Sequence, residues 1–99
     1  MTTRYNILWS KEAKLQFTKI VAYLREEWSE KEVDQFINKL RSFEKIVVTF
    51  PEIYPASKSG LRRAVITKHN SVIYQIDKEQ ALIRVYTIFD NRQHPDKLK

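Results

Sequence analysis

The last fourteen residues of the chain place several ionisable side chains directly after an apolar strand. This segment, Tyr86 to Lys99, reads Y-T-I-F-D-N-R-Q-H-P-D-K-L-K. A histidine is the natural proton carrier near neutral pH. The segment therefore predicts a polar site at the end of the sheet, formed by Asp90, Arg92, His94 and Lys97.

A second group of cations lies between residues 58 and 69, a stretch without acidic residues. Side chains alternate between the two faces of a strand, so Arg62 and Arg63 are expected on opposite faces. One of them would pair with a carboxylate such as Asp77 or Asp90, while the other faces a ligand. A basic face attracts a polyanion or an acidic protein segment, and a merely solvated surface is the alternative. The candidate binding residues are Lys58, Arg62, Arg63, Lys68, His69, Arg84 and Arg92.

Several classes of site are not expected. Neither His69 nor His94 has a partner at helical or strand-pair spacing, so no metal site is predicted. The single glycine argues against a nucleotide-binding loop, and no cofactor is expected. Tyr74 and Tyr86 could stack nucleobases, but aromatic residues in strand centres are more often part of the core.

Length and composition predict one small domain covering residues 1–99. The chain has 42% apolar residues, enough for one core, and a net charge of +6. It has no cysteine, which excludes disulfides and fits a reducing compartment. No secretory or membrane-spanning segment is recognisable, so a soluble cytoplasmic protein is expected.

Apolar periodicity predicts two helices after a first strand at Arg4–Trp9. Ser10 is the expected N-cap of the first helix, and the capping-box pattern S-E-K-E at residues 29–32 starts the second. The connection is so short that the helices must form an antiparallel hairpin. The predicted apolar stripes are Ala13, Phe17, Ile20, Val21, Leu24 and Trp28, then Val33, Phe36, Ile37, Leu40, Phe43, Ile46 and Val47.

Three short strands are predicted to follow, at Leu61–Lys68, Val72–Asp77 and Ala81–Phe89. Short turns separate them, so they should form an antiparallel meander. The predicted fold class is therefore α+β with the order β-α-α-β-β-β, in which the helical hairpin packs on an antiparallel sheet.

Five segments in order along the chain carry a resemblance to a known family. They are Y-N-I-L-W-S at 5–10, F-P-E at 50–52, G-L-R-R at 60–63, V-I-Y-Q-I at 72–76, and F-D-N-R-Q-H-P-D-K-L at 89–98. Together they resemble the RelE/ParE superfamily of toxins from bacterial type II toxin–antitoxin systems. The resemblance implies a growth inhibitor, of the kind associated with plasmid stabilisation, neutralised by a cognate antitoxin. The basic residues 58–69 favour an acidic segment in that antitoxin, bound either as a helix along the basic face or as a strand added to a sheet edge. The resemblance implies no cofactor and no membrane partner.

The resemblance leaves two targets open. The ending R-Q-x-P-x-x-L at residues 92–98 is similar to that of ParE-like members, which inhibit DNA gyrase, and this reading is slightly favoured. The alternative is a RelE-like, metal-independent endonuclease that cuts messenger RNA on the ribosome. Its catalytic residues would be Arg92, His94, Arg63 and Lys68.

Two departures bear on the ribonuclease alternative. Ser71 stands where such members carry an arginine, and no tyrosine follows Tyr86. A third reading is an inactive relative that still binds an antitoxin.

Overall fold

The computed structural model describes residues 4–91, which form two helices and four strands. The elements are β1 (Asn6–Trp9), α1 (Lys11–Glu27), α2 (Glu30–Thr49), β2 (Arg62–Val65), β3 (Asn70–Asp77) and β4 (Leu82–Asp90). Both the α+β class and the β-α-α-β-β-β order predicted from the sequence are confirmed.

The four strands form one sheet in the order β1-β4-β3-β2. Strands β2, β3 and β4 make the predicted antiparallel meander. The first strand, β1, pairs in parallel with β4, from Asn6 opposite Leu82 to Trp9 opposite Val85. The sheet is therefore mixed rather than antiparallel throughout, because β1 runs in the same direction as the last strand of the meander.

Each helix begins where the sequence predicts, but only the first has a side-chain cap. The Oγ of Ser10 accepts a hydrogen bond from the backbone N–H of Ala13 at 2.9 Å. Ser29 precedes α2, yet its side chain makes no capping hydrogen bond. Its carbonyl instead accepts from the N–H of Glu32 at 3.1 Å. The capping-box pattern thus marks the start of the helix without forming the capping box.

The core lies between the helical hairpin and one face of the sheet. Its fully buried members come from α1 (Ala13), α2 (Phe36, Leu40, Phe43, Val47) and the sheet (Ala64, Val72, Tyr74, Ile83, Val85, Ile88). Most of both predicted apolar stripes is in contact with this core.

Two aromatic residues predicted to be buried are exposed. Trp28 is 65% exposed because α1 ends at Glu27. Trp28 is the C-cap residue, its backbone is not helical, and its side chain therefore does not continue the apolar stripe of α1. Tyr86 is 40% exposed. It is the extra residue of a bulge, since Tyr74 pairs with Val85 and Ile73 pairs with Thr87.

Candidate functional site

Arg62 holds the loop between α2 and β2. Its Nη1 donates hydrogen bonds to the carbonyl oxygens of Tyr54 at 2.7 Å and Glu52 at 3.3 Å. Close by, the hydroxyl of Tyr74 donates to the carbonyl of Pro51 at 2.7 Å. We call these contacts the loop clamp. They tie the segment that follows α2 to the middle of the sheet.

The loop clamp is continuous with an aromatic cluster in the core. The ring of Phe43 lies 5.7 Å from the rings of both Tyr54 and Tyr74, and the two tyrosine rings are 6.2 Å apart. Burial raises the pKa of Tyr74 to about 12, so its hydroxyl stays protonated and keeps donating at neutral pH. The buried rings and backbone carbonyls around Arg62 indicate a structural role for this arginine.

Arg63 points to the opposite face of the sheet, as strand alternation predicts. Its Nε donates to the Oγ of Ser71 at 3.1 Å, and its Nη2 donates to the Oδ1 of Asn91 at 2.8 Å. The Oγ of Ser71, which is fully buried, donates to the same Oδ1 at 2.6 Å. The guanidinium also lies over the ring of Phe89, 5.7 Å from its centroid. Arg63 on β2 is thus held by Ser71 of β3, by Phe89 of β4 and by Asn91 directly after β4.

Asn91 connects this group to the turn between β2 and β3. Its backbone N–H donates to the carbonyl of His69 at 2.7 Å. Its Nδ2 donates to the carbonyls of Thr67 at 3.2 Å and Lys68 at 3.3 Å. Three consecutive turn carbonyls therefore accept hydrogen bonds from one residue. We call Arg63, Ser71, Asn91 and these bonds the turn network.

The turn itself presents two of the predicted binding residues. β2 ends at Val65, earlier than expected, so Lys68 lies with His69 in the turn rather than in the strand. Both are exposed. The Oγ1 of Thr67 accepts from the N–H groups of His69 and Asn70, each at 3.1 Å, which closes the turn.

The remaining predicted cations are separated from this turn. Lys58 is exposed in the loop before β2, at the opposite end of the strand from Lys68. Arg84 donates from Nε and Nη2 to the Oδ2 of Asp77, at 3.1 and 3.0 Å. The carboxylate of Asp77 therefore pairs with Arg84 and not with Arg62 or Arg63. The N–H of Gln80 and then the guanidinium of Arg84 hold the pKa of Asp77 below its usual range.

Three candidates from the C-terminal segment, Arg92, His94 and Lys97, lie outside the described residues. Whether they join Lys68 and Arg63 in one site stays a prediction. Among residues 4–91 no group of three histidines, cysteines or acids could hold a metal ion. No helix in that range is long and apolar enough to cross a membrane.

A cleft of about 810 Å³ lies between the helical hairpin and the end of the sheet that carries the turn. Its apolar lining comes mainly from α1 (Ile20, Tyr23, Leu24) and Trp28. Lysines from three elements, Lys19, Lys39 and Lys68, share its rim with Glu12, Glu32 and Asp90. Such a mixed apolar and charged cleft suits an amphipathic protein segment better than a nucleotide.

Comparison with known proteins places the chain in a family. Residues 7–95 match the family model described as the ParE toxin of the type II toxin–antitoxin system parDE. The chain belongs to the ParE toxin family. The predicted membership of the RelE/ParE superfamily is thereby confirmed.

Solved structures of related systems share the fold of this ParE-family chain. The chromosomal ParDE toxin–antitoxin system from P. aeruginosa superposes with a TM-score of 0.71 at 11% identity, covering 89% of this chain and 97% of that one. The toxin–antitoxin complex RelBE2 from Mycobacterium tuberculosis gives 0.62 at 12% identity, covering 88% and 98%. No curated protein sequence matches the chain.

Sequence reasoning missed the central residue of the turn network in this ParE-family protein. In the sequence Asn91 stands out only as part of the closing motif. An asparagine directly after a strand nevertheless has the donors and acceptors to bind a neighbouring turn. Ser71 was noted only as a missing arginine. The structure shows that its hydroxyl joins Arg63 to Asn91.

Proposed function

We propose that this protein is the growth-inhibiting component of a type II toxin–antitoxin system and that it acts by binding a protein target, DNA gyrase, rather than by cutting RNA. Membership of the ParE family supports the toxin role. The choice of a protein target rests on how the cations of the sheet are used.

The observation that carries this choice is the turn network around Ser71. A metal-independent ribonuclease needs cations free to bind the phosphate, together with an acid and a base. The position where the resemblance implies an arginine holds a buried serine, and the nearby Arg63 donates to Ser71 and Asn91. Arg62 and Arg84 are likewise engaged, with loop carbonyls and with Asp77.

Inhibition of gyrase by the purified chain tests the proposal directly. Relaxed plasmid is supercoiled by gyrase and ATP over a range of toxin concentrations, and RNA ends are mapped in parallel on translating ribosomes. The proposal expects inhibited supercoiling or accumulated DNA breaks, and no new RNA ends. New 5′-hydroxyl ends in the ribosome assay, with supercoiling unaffected, would identify a ribonuclease instead.

The proposed regulator is a cognate antitoxin that binds the cleft beside α1 as an amphipathic helix with an acidic face. The structures with the same fold are toxin–antitoxin complexes, which supports a protein partner of this kind. Apolar anchors would contact Ile20, Tyr23 and Trp28, while the rim lysines attract acidic side chains.

Two matched substitutions on α1 test the place of the antitoxin. Tyr23 is 47% exposed and lines the cleft, whereas Leu15 is 50% exposed on the same helix and does not line it. Tyr23→Ala is expected to weaken antitoxin binding about tenfold or more, as truncation of an aromatic anchor does. Leu15→Ala should leave the affinity unchanged. Equal affinities for both variants would exclude the cleft as the antitoxin site.

A further inference from the structure

Asn91 joins the turn between β2 and β3 to the end of β4 through both its backbone and its side chain. Asn91 donates to the carbonyls of Thr67, Lys68 and His69, and its Oδ1 accepts from Arg63 and Ser71. A side-chain amide has two donor hydrogens and two acceptor lone pairs. All four are used here, so the side-chain amide is matched to its surroundings at both of its polar atoms.

No closely related side chain reproduces this pattern. An aspartate has the same shape and could still accept from Arg63 and Ser71, but it has no N–H to offer. Its negative oxygen would face the carbonyls of Thr67 and Lys68. Substitution by aspartate therefore separates the two halves of the side-chain network: the bonds to β2 and β3 persist, while the two side-chain bonds to the carbonyls of Thr67 and Lys68 are lost and the backbone bond to His69 remains.

The network fixes geometry more than it adds stability. Among residues 4–91 Ser71 is the polar side chain that is fully buried, and a buried hydroxyl gains little net free energy even when it is bonded. A fully satisfied polar network does, however, specify one arrangement of its members. The arrangement specified here fixes the turn that carries the exposed Lys68 and His69 beside the residue from which the chain continues into Arg92.

We infer that Asn91 is a positioning residue. It fixes the turn that carries Lys68 and His69 against the end of β4, so that the turn and the strand end form one surface for the target. This inference rests on the proposed toxin function. It assigns recognition to the turn and the end of β4 together, with Arg63 and Ser71 acting through Asn91.

The experiment compares Asn91→Asp with Asn38→Asp in the full-length chain. Asn38 is exposed on α2, so both variants change the net charge by the same amount at the same residue type. Backbone amide exchange of His69, Asn70 and Asn91 reports the turn, and the thermal unfolding midpoint reports the whole fold. Growth inhibition on induced expression, normalised to protein level, reports function without assuming a target.

For Asn91→Asp we expect exchange of the turn amides to quicken about tenfold, the effect of losing roughly one hydrogen bond, and half-maximal growth inhibition to need about tenfold more protein. The unfolding midpoint should match that of Asn38→Asp. Unchanged turn exchange would overturn the inference. A loosened turn with growth inhibition equal to the control would overturn it as well.

The outcome is separable from that of the proposed function. If the unsubstituted chain arrests growth but leaves gyrase supercoiling unaffected, the gyrase proposal fails. The comparison of the two variants in growth inhibition still decides whether Asn91 positions the recognition surface.

Discussion

Two neighbouring arginines anchor two regions of this protein in contrasting ways. Arg62 joins the loop clamp, where its donors meet backbone carbonyls beside the buried rings of Phe43 and Tyr74. Arg63 joins the turn network, where its donors meet Ser71 and Asn91 beside an exposed turn. Adjacent positions on a strand face opposite ways. Identical side chains therefore serve the core in one case and, by our proposal, target recognition in the other.

The largest expected effect lies in the loop clamp. Tyr74→Ala removes a fully buried ring together with its hydrogen bond to Pro51, and truncations of buried aromatic residues cost about 3–5 kcal/mol of the free energy of unfolding. Tyr86→Ala is the matched control, because Tyr86 is 40% exposed on the bulge. It should cost about 1 kcal/mol, since its ring is partly exposed and its hydroxyl donates to Gln75 outside the core. Urea unfolding measures both, and similar losses would contradict the assignment of the core to one sheet face.

The second largest effect is expected at the two arginines, whose substitutions should lower the free energy of unfolding by different amounts. Arg62→Met is expected to lower the free energy of unfolding by about 2 kcal/mol, because two loop carbonyls lose a charged donor. Arg63→Met should cost about 1 kcal/mol, because Ser71 and Asn91 remain bonded to each other. Urea unfolding at neutral pH compares the pair. A larger loss for Arg63→Met would reverse the proposed roles of clamp and network.

A smaller, pH-dependent effect belongs to the clamp alone. The pKa of Tyr74 is raised to about 12 by burial, above its ordinary value near 10. A raised pKa means that the stabilising effect of the protonated hydroxyl is complete below about pH 10 and is lost as the pH rises towards 12. The wild type should therefore lose stability over this interval relative to Tyr74→Phe. If stability falls equally with pH in the wild type and in Tyr74→Phe, the hydroxyl of Tyr74 is not shielded from solvent by burial.

The smallest effect is expected at a pair outside both regions. The pKa of Asp77 is lowered first by the N–H of Gln80 and then by Arg84, so its contribution is present above about pH 4 and fades as the pH falls further. Arg84→Met leaves the bond from Gln80 in place. Acid unfolding should keep most of its pH dependence in this variant and lose more of it in Asp77→Asn. An equal change in both would make Arg84 the main partner.

The elements of the fold could be predicted from the sequence because local patterns determine them. The stripe of α2 and the alternation around Ile83 and Val85 in β4 report burial directly, and Ser10 marks a helix start. The parallel pairing of β1 with β4 is a long-range choice that no local pattern encodes. Tyr86 follows the buried Val85 and so faces away from the core by alternation alone. Strand periodicity does not reveal the one-residue bulge at this point, after which Ile88 and Phe89 are both buried.

The candidate site could be predicted less completely for the same reason. Residues 58–69 form a basic cluster in sequence, but strand alternation and the early end of β2 direct Arg62, Arg63 and Lys68 to three different environments. The partners of Arg63 come from positions 71 and 91, and their meeting depends on the register of three strands. Charge patterning identified the cations without showing which of them the fold itself uses.

The division between the two regions is tested most directly by gyrase inhibition with the two arginine variants, each supplied at equal concentrations of folded protein. The account predicts that folded Arg62→Met inhibits supercoiling like the wild type. Arg63→Met should need about tenfold more protein, because the turn loses part of its support and roughly one hydrogen bond's worth of free energy. Equal inhibition by the two variants, or a greater loss for Arg62→Met, would contradict the account.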